Sequence, residues 1–126
     1  NESKDIVRMI SSLSKVGNGM DLYPNNAKDE VDATNIWIHE MINNGVYRAG
    51  FSTSQGAFDR ACKDVGEGLE RADQLLKERK YLNGEDVTES DVFLFPTAIR
   101  FDAVYATLFR CGGKRGRLAS YEHLKR

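Results

Sequence analysis

Residues 88–105 read T-E-S-D-V-F-L-F-P-T-A-I-R-F-D-A-V-Y, and they decide the fold because they join a helix start signal to the most apolar run in the chain. Thr88, followed three positions later by Asp91, is a variant capping box. The hydroxyl and the short acid satisfy free N–H groups and place negative charge at the positive end of a helix. Val87 precedes the cap and can staple against Val92. Behind it, Val92, Phe93, Leu94, Phe95, Ala98, Ile99, Phe101, Val104 and Tyr105 leave almost no polar face, the pattern of a helix packed on several sides. Arg100 and Asp102 interrupt this run. Pro96 removes one hydrogen bond and should bend the helix, at a cost of roughly 3 kcal/mol if uncompensated.

Upstream, K-D-I-V-R-M-I-S-S-L places Ile6, Met9, Ile10 and Leu13 at helical spacing, with Ser3 as a candidate cap. The stretch V-G-N-G-M-D-L-Y-P-N-N is a loop. Residues 27–43 predict a second helix with Val31, Thr34 or Asn35, Ile38, Met41 and Ile42 inward and Trp37 flanking. Asp29, Glu30 and Asp32 lie near its start, where they favour the dipole. Asn43-Asn44-Gly45 predicts a helix stop and Gly50 a second hinge, so that this break faces a cleft. Residues 53–80 restore the pattern through Phe58, Cys62, Val65, Leu69, Ala72 and Leu76. Gly66 and Gly68 weaken that helix by about 1 kcal/mol each relative to alanine. N-G-E-D turns the chain into the Thr88 cap, C-G-G-K-R-G-R ends the central helix, and a last helix is expected to start at Leu118. No strand alternation is convincing, so the expected fold is an all-α bundle of four or five helices.

A chain of 126 residues suits one domain and can bury about two thirds of its unfolded surface. With 40% hydrophobic and 29% charged residues and a net charge of -1, it has no global bias toward nucleic acid or anionic membrane. Its apolar runs fall far short of the ~20 residues that cross a bilayer. No secretory or transit peptide is read, and Cys62 and Cys111 lie outside any C-x-x-C. The expectation is a chain with reduced thiols inside the cell, in the cytoplasm or in a plastid or mitochondrion.

Several stretches carry a family resemblance. The T-E-S-D cap before an apolar helix resembles the helical C-terminal domain of glutathione transferases. N-E-S-K-D-I-V-R-M-I, D-L-Y-P with N-I-W-I-H-E-M-I-N-N-G-V-Y-R-A-G-F, and L-F-P-T-A-I-R-F-D-A-V-Y with F-R-C together resemble glutathionyl-hydroquinone reductases, the xi class. The resemblance covers nearly the whole chain, with N-N-G-V-Y and R-F-D-x-V-Y its specific motifs. It implies a thioredoxin-like domain ahead of this segment, whose cysteine in a C-P-W type motif attacks the glutathionyl thioether; no such cysteine lies here. It also implies that Asn1-Glu2-Ser3 ends that domain, with Glu2 and Ser3 holding the γ-glutamyl end of glutathione. A further helix and a tail are expected beyond Arg126. Tyr121-Glu122-His123-Leu124 departs from the family's Y-P-N-L, and Gly112 stands where an asparagine usually follows the cysteine. The chain is then expected to be a fragment or a divergent single domain.

Each candidate residue carries a second reading. Glu2 and Ser3 could simply cap the first helix, although a carboxylate and a hydroxyl at a helix N-terminus suit an amino-acid zwitterion. Tyr47 could be a core aromatic; the favoured reading puts its phenol in the acceptor pocket as a proton donor. Tyr105 has the same two readings, with packing ahead. Thr88 and Asp91 are structural. Arg100 and Asp102 on a buried helix must be paired or reach a cavity edge, and an internal ion pair is favoured over catalysis. Cys111 reads as a buried structural thiol.

His39 and His123 have no partner at metal-ligand spacing, so no metal is expected. The basic cluster Arg110, Lys114, Arg115, Arg117, Lys125 and Arg126 reads as a solvated helix end. Two functions survive. The first is the helical pocket domain of a reductase using glutathione as co-substrate and glutathionyl-hydroquinones as substrates, as a homodimer or in a protein assembly. The second is a non-catalytic interaction module in a larger assembly. A natural chain much heavier than 14.2 kDa favours the first.

Overall fold

A computed structural model describes residues 3–11, 19–113 and 115–125 of the chain. Within them, α1 runs over Ser3–Ser11, α2 over Lys28–Trp37, α3 over Gly45–Gly50, α4 over Gln55–Glu78, α5 over Glu89–Arg100 and α6 over Ala106–Leu108. No strand forms among the described residues, and the fold is the all-α domain expected. Tyr81 and Gly84 pair only to close the turn before α5. No described helix is long and apolar enough to cross a membrane.

Two π-helical segments, Ile38–Asn43 and Phe101–Tyr105, join α2 to α3 and α5 to α6. Such widened turns are frequent at functional sites. The first overturns the expected stop at Asn43-Asn44-Gly45. Asn44 keeps right-handed helical geometry, and the chain runs on into α3. The glycines serve close packing instead. A Cβ on Gly45 would lie 2.9 Å from a Val65 methyl, and one on Gly68 would lie 2.7 Å from Ile42, so their absence lets α4 approach the α2–α3 helical path.

The core fills this crossing with Ile38, Ile42, Val46, Val65, Leu69, Ala72, Phe101 and Cys111. Each large apolar side chain fully buried there contributes roughly 1.5–3 kcal/mol. The expected α4 seam is present, with Val65, Leu69 and Ala72 buried and Phe58, Cys62 and Leu76 packed at its edge. Ser54 caps this helix by accepting the Ala57 N–H.

The cap of α5 forms as the sequence predicts. Asp91 accepts the Thr88 N–H at 2.9 Å and the Thr88 hydroxyl at 3.1 Å, while its other oxygen takes the Leu82 N–H at 3.0 Å. Near Pro96, Asn43 bridges the helices: its amide donates to the Phe93 carbonyl at 3.0 Å, and its oxygen accepts the Thr97 hydroxyl at 2.8 Å. The expectation that α5 packs on several sides fails. Leu94 and Thr97 are buried, whereas Phe95 and Ile99 on another face are 62% and 66% exposed. An apolar composition thus left the inner face of this helix undetermined.

Two further expectations are corrected. Ser3 is the first residue of α1, and Ile6, Met9 and Ile10 of that helix are exposed while Val7 is half-buried. Lys4 and Arg8 make the inward contacts, with acids on α2 and α5. Leu13 lies outside the described residues. At the other end, Leu118–Ser120 forms one 3-10 turn rather than a helix. Asp102 takes the N–H groups of Leu118 and Ala119, and Asp73 takes those of His123 and Leu124, so side-chain carboxylates hold this segment in turns. Gly112 also has a local reason: a Cβ there would meet the Gly116 carbonyl oxygen at 1.9 Å.

Candidate functional site

Tyr47 on α3 and Tyr105 at the end of the second π segment come together. Their hydroxyls lie 3.1 Å apart, and the rings meet edge to face with centroids 5.6 Å apart. Tyr105 is buried and Tyr47 is 43% exposed, so one phenol faces outward while its partner is held in the interior. Burial first, and then the hydrogen bond to Tyr47, raise the Tyr105 pKa above its ordinary value. That side chain stays a neutral phenol at physiological pH, able to donate or accept.

Two phenylalanines complete the cluster. Phe109 lies 6.2 Å from Tyr47 and 6.0 Å from Tyr105, and Phe51, 73% exposed, stacks nearly parallel to Tyr47 at 6.4 Å. Gly50 makes this possible, because a Cβ there would lie 2.5 Å from the Phe109 ring. The result is a partly exposed aromatic surface around two hydrogen-bonded hydroxyls. It can receive a planar ring and give a hydrogen bond to an oxygen on it. Sequence reasoning passed over both phenylalanines, although Phe51 follows Gly50 directly and Phe109 opens F-R-C.

Neither cysteine is an activated nucleophile. Cys111 is buried with its thiol toward the Tyr105 carbonyl at 3.4 Å, and burial pushes its pKa up to about 11. Cys62 is also raised, chiefly by burial. Among the described residues no cluster of three or more His, Cys, Asp or Glu side chains could hold a metal ion.

A second region lies at the N-terminal end. Ser3 and Lys4 of α1 form one wall of a crevice of about 300 Å³, facing Asn35, Ile36, His39, Glu40, Asn43 and Phe93. Glu2, the other candidate for the γ-glutamyl end, lies outside the described residues. Behind the crevice runs a polar network that the sequence did not announce. Glu89 is fully buried at the start of α5; one of its oxygens accepts the Asn35 amide at 2.7 Å, and the two oxygens take the Arg8 guanidinium at 2.5 to 3.2 Å. Ser90 donates to Asn35 at 2.7 Å, and Asn83 joins Ser90 to Thr88. The Arg8 pKa is raised, above all by the hydrogen bond to Glu89. Asp32 is held well below the usual carboxylate range, first by the Tyr23 hydroxyl and then by Arg8 and Lys4. An acid at a helix start signals a favourable dipole, but nothing in the sequence signals that Glu89 is buried.

The internal ion pair expected for Arg100 and Asp102 is not formed by either residue among the described ones. Arg100 is exposed and donates to the Pro96 carbonyl at 2.7 Å, while Asp102 turns to the Leu118 and Ala119 amides. Of the basic cluster, Arg115 pairs with Glu70 and covers the Tyr121 ring; Lys114 and Arg126 lie outside the described residues.

Comparison with known proteins gives a consistent picture. Residues 55–126 match the family model described as glutathione S-transferase, C-terminal domain. The chain is 42% identical to glutathionyl-hydroquinone reductase YqjG of Escherichia coli, covering 98% of this chain and 38% of that protein. It is 38% identical to glutathionyl-hydroquinone reductase PcpF of Sphingobium chlorophenolicum, covering 100% of this chain and 40% of that protein. Among solved structures, glutathione-bound YqjG superposes with a TM-score of 0.93 at 42% identity, over 98% of this chain and 40% of that one. Glutathione transferase Xi 1 of Trametes versicolor superposes at 0.91 and 36% identity, over 98% of this chain and 44% of that one. The chain therefore spans about two fifths of the length of the curated relatives it matches.

Proposed function

The chain belongs to the glutathione S-transferase family as its helical C-terminal domain, and from that membership we propose that it forms the substrate-pocket domain of a glutathione-dependent reductase acting on glutathionyl-hydroquinones. The observation that supports this reading most is the Tyr47–Tyr105 hydroxyl pair on an exposed aromatic surface. The names of the relatives supply the substrate class.

In this reading, the thiolate belongs to a thioredoxin-like domain outside the 126 residues. It attacks the sulfur of the glutathionyl-hydroquinone, forming a protein–glutathione disulfide and breaking the carbon–sulfur bond. The electron pair of that bond passes to the ring, which takes up a proton to give the hydroquinone. Tyr47, backed by Tyr105, donates to the ring oxygen and supports that protonation. The thiolate of a second glutathione then attacks the mixed disulfide, releasing glutathione disulfide and restoring the protein thiolate. Overall, one glutathione and one thioether give one hydroquinone and one glutathione disulfide. Ser3, with Glu2, holds the amino-acid end of glutathione, and the outward apolar face of α1 packs on the thioredoxin-like domain.

The test is glutathione-dependent release of hydroquinone from a glutathionyl-hydroquinone. The protein containing both domains is expected to turn over, and the 126-residue chain alone is not, since Cys111 is buried and both of its thiols are held less acidic than usual. Absence of turnover in the two-domain protein refutes the reading. So does turnover by the isolated chain that Cys111→Ser abolishes.

A further inference from the structure

We infer that Glu89 is a positioning residue for the glutathione site, fixing through Arg8 and Asn35 both walls of the crevice between α1 and α2 without touching the ligand. The inference rests on the proposed function for the identity of that ligand. Its physical basis lies in how α1 is attached. The apolar residues Ile6, Met9 and Ile10 of α1 are 48%, 68% and 62% exposed, so burial of that apolar face does not fasten the helix to the domain. Polar contacts reach inward from the same helix. Lys4 pairs with Asp32 at 3.0 Å, Arg8 pairs with Asp32 at 2.8 Å and with Glu89, and the Arg8 guanidinium lies 3.7 Å over the Tyr23 ring.

These contacts are unequal. The Asp32 side chain is 40% exposed, and ion pairs at that exposure hold little, because water and salt screen them. Glu89 is fully buried, and Arg8 is its ion-pair partner among the described residues. A buried carboxylate cannot tolerate loss of its cation, so the Arg8 fork is fixed in distance and direction. Lys4 and Arg8 stand four residues apart on one face of α1. Any slide or rotation of the helix that carried Ser3 and Lys4 away from the crevice would pull Arg8 off Glu89.

The opposite wall answers to the same carboxylate. Asn35 lines the crevice and donates its amide to Glu89, which leaves its oxygen to the Ser90 hydroxyl. Glu89 thereby sets the amide orientation on one wall and the helix position on the other. A neutral side chain of the same shape would fill the space but release Arg8.

The experiment is calorimetric titration with glutathione, together with steady-state kinetics, on the two-domain protein and its Glu89→Gln variant. The expected result is a Kd and KM for glutathione raised about tenfold, the scale of a sub-ångström misplacement of binding groups, with kcat at saturating glutathione close to the parent's. Leu69→Ala opens a cavity in the α4 core, and is expected to lower the melting temperature without moving Kd. Equal Kd values for parent and Glu89→Gln overturn the inference, as does an equal loss of affinity in Leu69→Ala. If Glu89→Gln fails to fold, Arg8→Lys decides, since it keeps the charge and loses the fork; an unchanged Kd overturns the inference. A parent protein that binds glutathione without turnover refutes the proposed reaction and leaves the Kd comparison to judge Glu89. One that binds no glutathione refutes both.

Discussion

The Tyr47 hydroxyl sits 3.1 Å from that of Tyr105, joining an exposed phenol on α3 to a buried one at the end of the Phe101–Tyr105 segment. Replacing either hydroxyl tests a different half of the pair. In the two-domain protein of the proposed function, Tyr47→Phe keeps the ring against Phe51 and Phe109, so the expected outcome is a fall in turnover of about 10²-fold, the low end for a positioned acid or base, with the melting temperature nearly unchanged. Tyr105→Phe loses a hydrogen bond in the interior, so it should cost about 1 kcal/mol of stability and lower turnover less than Tyr47→Phe. Unchanged kinetics for Tyr47→Phe would remove it from the chemistry.

The legible parts of this chain were those where a local signal and a tertiary contact coincide. Thr88 and Asp91 cap α5 because capping needs only the residues themselves, and Val65, Leu69 and Ala72 line the core because their spacing leaves a single face. The pairing of Tyr47 with Tyr105 depends on packing across 58 residues, although both tyrosines could be singled out from their motifs. What stayed hidden was choice of face. In α1 the apolar stripe points outward because Arg8 answers a carboxylate buried 81 residues away. Gly45 and Gly50 look like breakers in sequence, yet they admit Val65 and Phe109 at close range.

That reversal makes Gly50→Ala a sharp test. In an ordinary helix the change would stabilise by about 1 kcal/mol. Here the new methyl would meet three ring atoms of Phe109 at 2.5 to 2.7 Å. Overpacking of this kind typically costs about 1–3 kcal/mol, so the expected sign is a lower midpoint in urea unfolding. Because Phe109 also touches Tyr47 and Tyr105, turnover should fall with it. A raised midpoint would show that Gly50 is a helix defect after all.

Cys111 gives a prediction about pH. Its ordinary value of 9.0 is raised to about 11 by burial. The unfolded chain therefore releases this proton first. The contribution of the thiol to stability is complete below pH 9 and is lost as pH climbs from 9 through about 11. Cys111→Ala should flatten that part of the stability curve, measured by urea unfolding at successive pH values. Iodoacetamide at neutral pH should label Cys62, which is partly exposed, ahead of Cys111; rapid labelling of Cys111 would contradict its burial.

The chain after α6 is held by two carboxylates, and they should be separable. Asp102 binds the amides of Leu118 and Ala119, while Asp73, nearly buried on α4, binds those of His123 and Leu124. Hydrogen bonds to a charged acceptor contribute about 1.5–3 kcal/mol where they are sheltered from water. Asp73→Asn keeps the size but removes the charge, and its amide group places a donor against two donors in one of its two orientations. Amide exchange at residues 123–124 should therefore accelerate, with 118–119 and the α4 core unaffected. Asp102→Asn should do the reverse, loosening 118–119 first. Both carboxylates reach from core helices, so the variants should unfold locally before they unfold globally. Exchange that accelerates equally at both pairs of amides in each variant would mean that the segment opens as one unit, and that neither aspartate acts as an independent fastening.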